Sequence, residues 1–328
     1  MSKVSVTRLW AWFRLLMGAI GLIVLLTIVD LNEVSEAIQE ANWWYLIPAW
    51  VLMMIATAAK TLRWYLPLRH DNVNLTYQRL FGTYLIGAFY GQFLPGSSAG
   101  GDAMRIAESS VDTGKGIKSA ASVIIERGIG LTTIVTSASL ILLFSPHEGI
   151  PTTFIVVVHT LSILGISGLT ILRFGWFVPT IAAIMKRVKL GRFAEKFVGI
   201  SEALQGDLGK PTMLLQMIGL SLVANFSSMS AFYLALVAVT DPVNYLDFIS
   251  LVAIVVTTEA IPLTPGALGV REGAYVFFLA YLGVSEHDAL TIALLIRLLN
   301  WTQALLGGMV LLERGINQPK QALPDSGV

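Results

Sequence analysis

The run Leu80-Phe-Gly-Thr-Tyr-Leu-Ile-Gly-Ala-Phe-Tyr-Gly-Gln-Phe-Leu-Pro-Gly-Ser-Ser-Ala-Gly-Gly-Asp-Ala-Met-Arg105 decides how this chain is read. Its apolar part, 80–94, is halted at Pro95-Gly96 after about 22 Å of helix, too short for the roughly 30 Å of hydrocarbon in a bilayer. The chain then passes a glycine-rich turn and returns as a second, moderately apolar segment. A similar run at 247–263, about 26 Å if helical, stops before Pro265-Gly266 and also turns back. Whether these short runs cross a membrane is decided by the charges on either side of them.

Around them lies a chain of 328 residues, 55% hydrophobic and only 13% charged, with a mean hydropathy of +0.71. A soluble domain carries about 25% charged residues, so water is not the main solvent here. Apolar runs long enough to cross fall at 9–29, 43–66, 118–145, 152–174, 211–240 and 289–312. Basic residues mark the cytoplasmic side. Lys3, Arg8 and Arg14 place the N-terminus inside, and 30–42, with four acids and no base, lies outside. Arg63, Arg69 and Arg79 bring the chain inside, and Lys115 and Lys118 belong there too, so 80–113 must enter and leave by the same face. Arg173, Lys186, Arg187, Lys189, Arg192, Lys196 and Lys210 hold a basic loop, 175–210, in the cytoplasm, where 185–198 reads either as an interfacial amphipathic helix or as charge that only enforces topology. The base-free loops near Asp241 and Glu286 lie outside, so the second short run dips in from the opposite face. Arg314 and Lys320 end inside. The expectation is an all-α polytopic membrane protein of about six transmembrane helices plus two opposed re-entrant helical hairpins. It forms a single integral membrane domain over 1–328, with inverted-repeat units at 43–145 and 211–312. A multi-pass position in the cytoplasmic (inner) cell membrane follows, with both termini cytoplasmic. Broken hydrophobic segments in matching positions of two inverted halves point to a transporter's midplane site.

Composition also excludes chemistries. With no cysteine there is no disulfide, thiolate metal site or thiol nucleophile, and His70, His147, His159 and His287 lack ligand spacing. No Walker A, haem or zinc-helix pattern occurs, so no cofactor and no metal is expected, and no nucleic-acid partner. The chemistry sits at the two turns, 93–105 and 262–272, where Asp102 and Glu272 each follow a proline by seven residues. Gly96, Gly100 and Gly101 in the first turn and Gly266 and Gly269 in the second allow close approach of backbone. A half-helix starting inside the membrane presents unpaired amides and a positive dipole end, which suit phosphate or carboxylate. Asp102 and Glu272 either cap those starts or face a ligand, and the two roles are compatible. Charges elsewhere in the spans are Lys60, Arg63, Glu126, Arg127, Glu259 and Arg297, with Asn225, Asn300 and Gln303 as polar company. A charge at mid-bilayer costs at least about 2.5–3.5 kcal/mol, so these face the interior and are functional candidates by default. Arg297 has Asn300 three residues on, on the same face. Glu126 and Arg127 also read as a structural ion pair, and Lys60 as a side chain snorkelling toward the cytoplasm.

The set Arg63-Trp64, Phe-Leu-Pro-Gly-x3-Gly-Gly-Asp-x2-Arg (93–105), Glu126-Arg127 and Pro-Gly-Ala-Leu-Gly-Val-Arg-Glu (265–272) resembles the lysylphosphatidylglycerol synthase transmembrane family. This is the flippase-like domain of multiple peptide resistance factors and of stand-alone relatives. The resemblance covers about 9–314 and implies movement of a lipid or lipid-linked head group between leaflets. It places Arg63, Asp102, Arg105, Glu126, Arg127, Arg271 and Glu272 on the family's motif positions. The soluble aminoacyl-transfer domain is absent, so synthesis of the lysyl lipid is not expected, and Ser97-Ser98-Ala99 stands where many relatives carry a basic residue. The expected function is therefore a flippase for an anionic or aminoacylated phospholipid or a polyprenyl-linked lipid. The head group would be bound by Arg63, Asp102, Arg105, Glu126, Arg127, Glu259, Arg271, Glu272, Arg297 and Asn300. The chain is not read as an enzyme, and a homodimer is compatible with it. Competing readings are a membrane-embedded enzyme acting on a lipid head group and a noncatalytic partner of an envelope or glycosylation enzyme.

Overall fold

The computed structural model describes residues 39, 41–93, 97–144, 150–188, 190–258, 267 and 269–316. The expected first span at 9–29, the turn residues Pro95, Gly96, Pro265 and Gly266, and Glu259 lie outside the described residues. Among the described residues there are helices and turns and no strand.

Five of these helices are long and apolar enough to cross a membrane: α1 (Trp43–His70), α4 (Gly116–Phe144), α5 (Thr152–Phe174), α8 (Pro211–Val237) and α11 (Glu286–Ile316). They stand where hydropathy placed spans, and the chain is an integral, multi-pass membrane protein. Their ends follow local chemistry. Asn42 caps α1 by accepting the Trp44 amide at 3.2 Å. Pro211 opens α8, where its missing N–H is no loss. Gly175, at φ 60°, closes α5 in the left-handed conformation. Trp43 and Trp44 are exposed at the start of α1, where an aromatic belt would sit.

Between the spans lie shorter helices: α2 (Tyr77–Phe93) and α3 (Ser97–Thr113), then α9 (Tyr245–Thr258) and α10 (Val270–Leu279) with its terminal 3₁₀ turn Ala280–Leu282. α2 packs on α3 and lies along α11; α9 packs on α10 and lies along α4; α1 and α8 lie against each other. The half of the bundle near the start of α11 is dry. There Phe248, Val252, Val255, Leu279, Ile292 and Leu295 interdigitate with Ala49, Met53, Ala138 and Ala235.

The basic connection 175–210 is largely helical. It forms two helices, α6 (Val178–Arg187) and α7 (Gly191–Leu208). α7 buries Ala194, Leu204 and Leu208 at helical spacing, with Ser201 and Asp207 among them, and packs on α4 and α5. Lys186, Arg187, Arg192 and Lys196 are exposed, and their density hid that spacing.

Glycines set the closest approaches. A Cβ on Gly307 of α11 would lie 1.9 Å from the Leu85 carbonyl oxygen of α2, and one on Gly101 of α3 would lie 2.3 Å from that of Gly87. Small residues at membrane helix contacts act in this way. Overpacking typically costs about 1–3 kcal/mol, so Gly307→Ala is expected to lower the thermal unfolding midpoint in detergent by about 5 °C or more. Gly219→Ala, where an added Cβ meets nothing within 4 Å, is the control and should not lower it.

Candidate functional site

Three helices bring together charges the sequence singled out, and a fourth adds a hydroxyl. Glu126 of α4, fully buried, accepts Arg63 Nε of α1 on Oε1 at 3.2 Å and also pairs with Arg63 Nη2. Its other oxygen accepts Arg105 Nη1 of α3 at 3.1 Å. Arg63 Nη1 donates to Ser221 Oγ of α8 at 2.7 Å. Asp102 accepts Arg105 Nη1 on one oxygen at 3.1 Å and Arg127 Nε on the other at 2.7 Å. Glu126 and Arg127 therefore do not form the expected pair with each other. Successive residues on a helix point to different sides, and each finds its partner on another helix.

Arg105 is the most constrained of these groups. Its guanidinium lies 4.3 Å from the ring centroids of both Trp64 and Tyr84. Trp64 is in turn fixed by its Nε1–H donating to Ser122 Oγ at 2.9 Å. A Cβ on Gly87 would sit 2.8 Å from Arg105 Cγ, and one on Gly130 2.6 Å from Arg63 Nη2, so two glycines make room for the two arginines. Arg105 is only 2% exposed, and its Nε and Nη2 have no hydrogen-bond partner. That edge is the fork with which arginine grips two oxygens of a phosphate or carboxylate.

A cavity of about 230 Å³ lies beside this network. Asp102, Arg105, Arg127, Lys60, Arg271 and Asn300 line it, with Gln92, Asn225, Ser228 and Gln303 among its neutral polar groups. Lys60 Nζ reaches Ser228 Oγ at 3.4 Å, so it faces inward rather than snorkelling to the cytoplasm as expected. Gln92 Oε1 and Asn225 Nδ2 are buried without hydrogen-bond partners. Arg63 and Glu126 stand behind the wall, as do Glu272 and Arg297, which pair with each other. Glu272 Oε2 also accepts the Gly269 amide at 2.8 Å and caps α10, whereas Asp102 is held by arginines. Gly269, at φ 76°, occupies the cap, Gly101 lines the cavity and packs on Gly87, and Gly100 is half-buried. Asn300 Nδ2 donates to the Ile296 carbonyl at 2.8 Å.

A larger apolar groove of about 430 Å³ runs along α4, α5 and α8, lined by residues such as Ile129, Leu140, Ile166, Leu169, Ile218 and Leu222. Ser137 borders both this groove and a small pocket that shares Ile134, Asn225 and Met229 with the polar cavity.

Sequence reading missed Tyr84, Gly87, Gly130 and Ser221. Residue type gives no hint that a tyrosine or serine in an apolar run meets a guanidinium. It also missed the ligand-bearing group formed by His70, Asp71 and Asp207, whose donor atoms lie within 4.8 Å of one another. His70 Nδ1 is 3.0 Å from Asp207 Oδ1, and Lys118 Nζ is 3.5 Å from Asp71 Oδ1, so a cation would compete with the lysine there. Burial first, and then the neighbouring Asp71, push the Asp207 carboxyl up to about 7, against the pull of Lys118. Its folded value lies above its unfolded one, so its stabilising contribution is complete below about pH 4 and lost as pH rises through 7. Asp207→Asn should therefore match the wild type at acid pH and unfold several degrees higher at pH 8, as read by thermal melts across pH.

Comparison with known proteins agrees with this architecture. A "UPF0104 membrane protein" of Methanothermobacter thermautotrophicus is 23% identical, over 88% of this chain and 90% of its own length. A second UPF0104 membrane protein, from Pyrococcus horikoshii, is 22% identical, over 92% of this chain and 96% of its own. Residues 12–307 match the family described as the lysylphosphatidylglycerol synthase TM region, and the chain thus belongs to that family.

Proposed function

We propose that this protein is a flippase-type lipid transporter, binding an anionic head group in the 230 Å³ cavity while the acyl or prenyl chains stay in apolar surroundings. The observation that carries this reading is the buried edge of Arg105, held between two aromatic rings with Nε and Nη2 unpartnered at the wall of a charged cavity. An unsatisfied buried donor costs about 1–3 kcal/mol, and a ligand oxygen repays it. The apolar groove beside α4 and α8 offers a place for the chains, reached past Ser137 and Asn225. In this reading α2–α3 and α9–α10 are re-entrant hairpins of an inverted repeat. The matched neighbours, α2 on α11 and α9 on α4, favour that relation, which puts the cavity near the midplane of the cytoplasmic membrane. Arg63 and Glu126 hold Arg105 in place, and Glu272 and Arg297 brace the segment that carries Arg271.

The test is leaflet accessibility. Purified full-length protein in vesicles should expose a labelled anionic lipid to an outside quencher faster than protein-free vesicles, or vesicles holding an unrelated membrane protein, do. Equal rates in all three would overturn the proposal.

A further inference from the structure

The charge balance of the cavity has a consequence for what it carries. Among the described residues four cations line it, Lys60, Arg105, Arg127 and Arg271, against one acid, Asp102. Both oxygens of Asp102 are already held by Arg105 and Arg127. Behind the wall Arg63 and Glu126 offset each other, as do Arg297 and Glu272.

We infer that the head group is a phosphate monoester without an amino group, and that an aminoacylated head group is disfavoured. The inference rests on the transport reading. A lysyl phosphodiester carries one negative and two positive charges, and its ammonium groups would enter a cation-rich cavity whose described carboxylate is already paired. A phosphodiester carries one negative charge. A phosphate monoester carries about −1.5 to −2 at pH 7 and three terminal oxygens. Two of those oxygens suit the Nε and Nη2 edge of Arg105, and the third faces the remaining cations. The tail is not selected by this chemistry, so diacylglycerol phosphate and a long-chain prenyl monophosphate are both included.

The experiment compares four labelled lipids with the full-length protein: a diacylglycerol phosphate, a prenyl monophosphate, phosphatidylglycerol and its lysyl ester. Movement is followed in vesicles, and binding to the detergent-solubilised protein is followed by native mass spectrometry. At least one monoester is expected to move and bind about tenfold or more better than the lysyl ester. A lysyl ester that moves or binds as well as both monoesters would overturn the inference while leaving transport intact. Absence of movement for all four would overturn the transport reading, and the binding order would still decide the inference. Asn225→Asp and Gln92→Glu each place a carboxylate at the cavity wall. Whichever folds should narrow the monoester preference about tenfold, and an unchanged preference in a folded variant would overturn the electrostatic account.

Discussion

Glu126→Gln will unfold about 10 °C below the parent protein, the largest loss expected from any single change at this site. The fully buried carboxylate stands between Arg63 and Arg105, so the amide leaves two guanidinium groups facing each other where water does not reach. Removing one partner of a buried ion pair costs about 3–5 kcal/mol, mostly for the charge left behind. The shape of Gln is nearly that of Glu, so packing does not confuse the result. A double-mutant cycle checks the cause. Adding Arg63→Gln removes one of the two stranded cations and should recover part of the loss, because Arg105 keeps Asp102. A double variant as unstable as the two single losses added together would show that the residues act independently.

On the transport reading proposed above, Arg105→Lys will slow lipid movement by about a hundredfold while the protein stays folded. Lysine keeps the charge and can still reach toward Asp102, so the electrostatics of the wall survive. It lacks the planar fork and cannot lie between Trp64 and Tyr84 as guanidinium does. Two charge-assisted hydrogen bonds to a phosphate, each worth roughly 1.5–3 kcal/mol, would be replaced by a single mobile contact. Since about 1.4 kcal/mol is a tenfold change, a net loss near 3 kcal/mol corresponds to the expected factor. The assay is the same vesicle experiment, with size-exclusion profiles to show that the variant is monodisperse. Unimpaired movement would remove the fork from the mechanism and leave only the positive field of the cavity.

What the sequence disclosed depended on how each feature is encoded. A span is written in about twenty consecutive residues, so α1, α4, α5, α8 and α11 were found within a few positions of their ends. Helix α7 was hard to place because exposed Arg192 and Lys196 share its first turns with buried Ala194. Charge in a basic loop and charge on the outer face of a surface helix look alike along one dimension. Matching acids seven residues after a proline proved easy to see, yet the structure gives them different tasks: Asp102 bridges two arginines and Glu272 caps a helix while pairing with Arg297. Partners separated by a long stretch of chain, such as Arg63 with Ser221 or Lys60 with Ser228, leave no trace in local spacing. The candidates themselves were legible, since a charge within an apolar span is visible by its cost. Their order of contact was not.

The glycine contacts bear on how such a site could open. Gly101 lies on the backbone of Gly87 and Gly307 on that of Leu85, with no side chain between to rearrange. α3, α2 and α11 are thereby locked into one rigid body that carries Arg105, Tyr84, Gln92 and Asn300 together. Across the cavity, α4 is tethered to that body by Arg105–Glu126 and Arg127–Asp102. The second of these tethers stands at the cavity wall, where oxygen atoms of an incoming phosphate could replace the carboxylate, whereas nothing can substitute for a glycine seam. In the transport reading proposed above, an opening motion is therefore expected at the ion-paired contact of α3 with α4 rather than at the glycine seam, and the passenger itself would help to unlatch it.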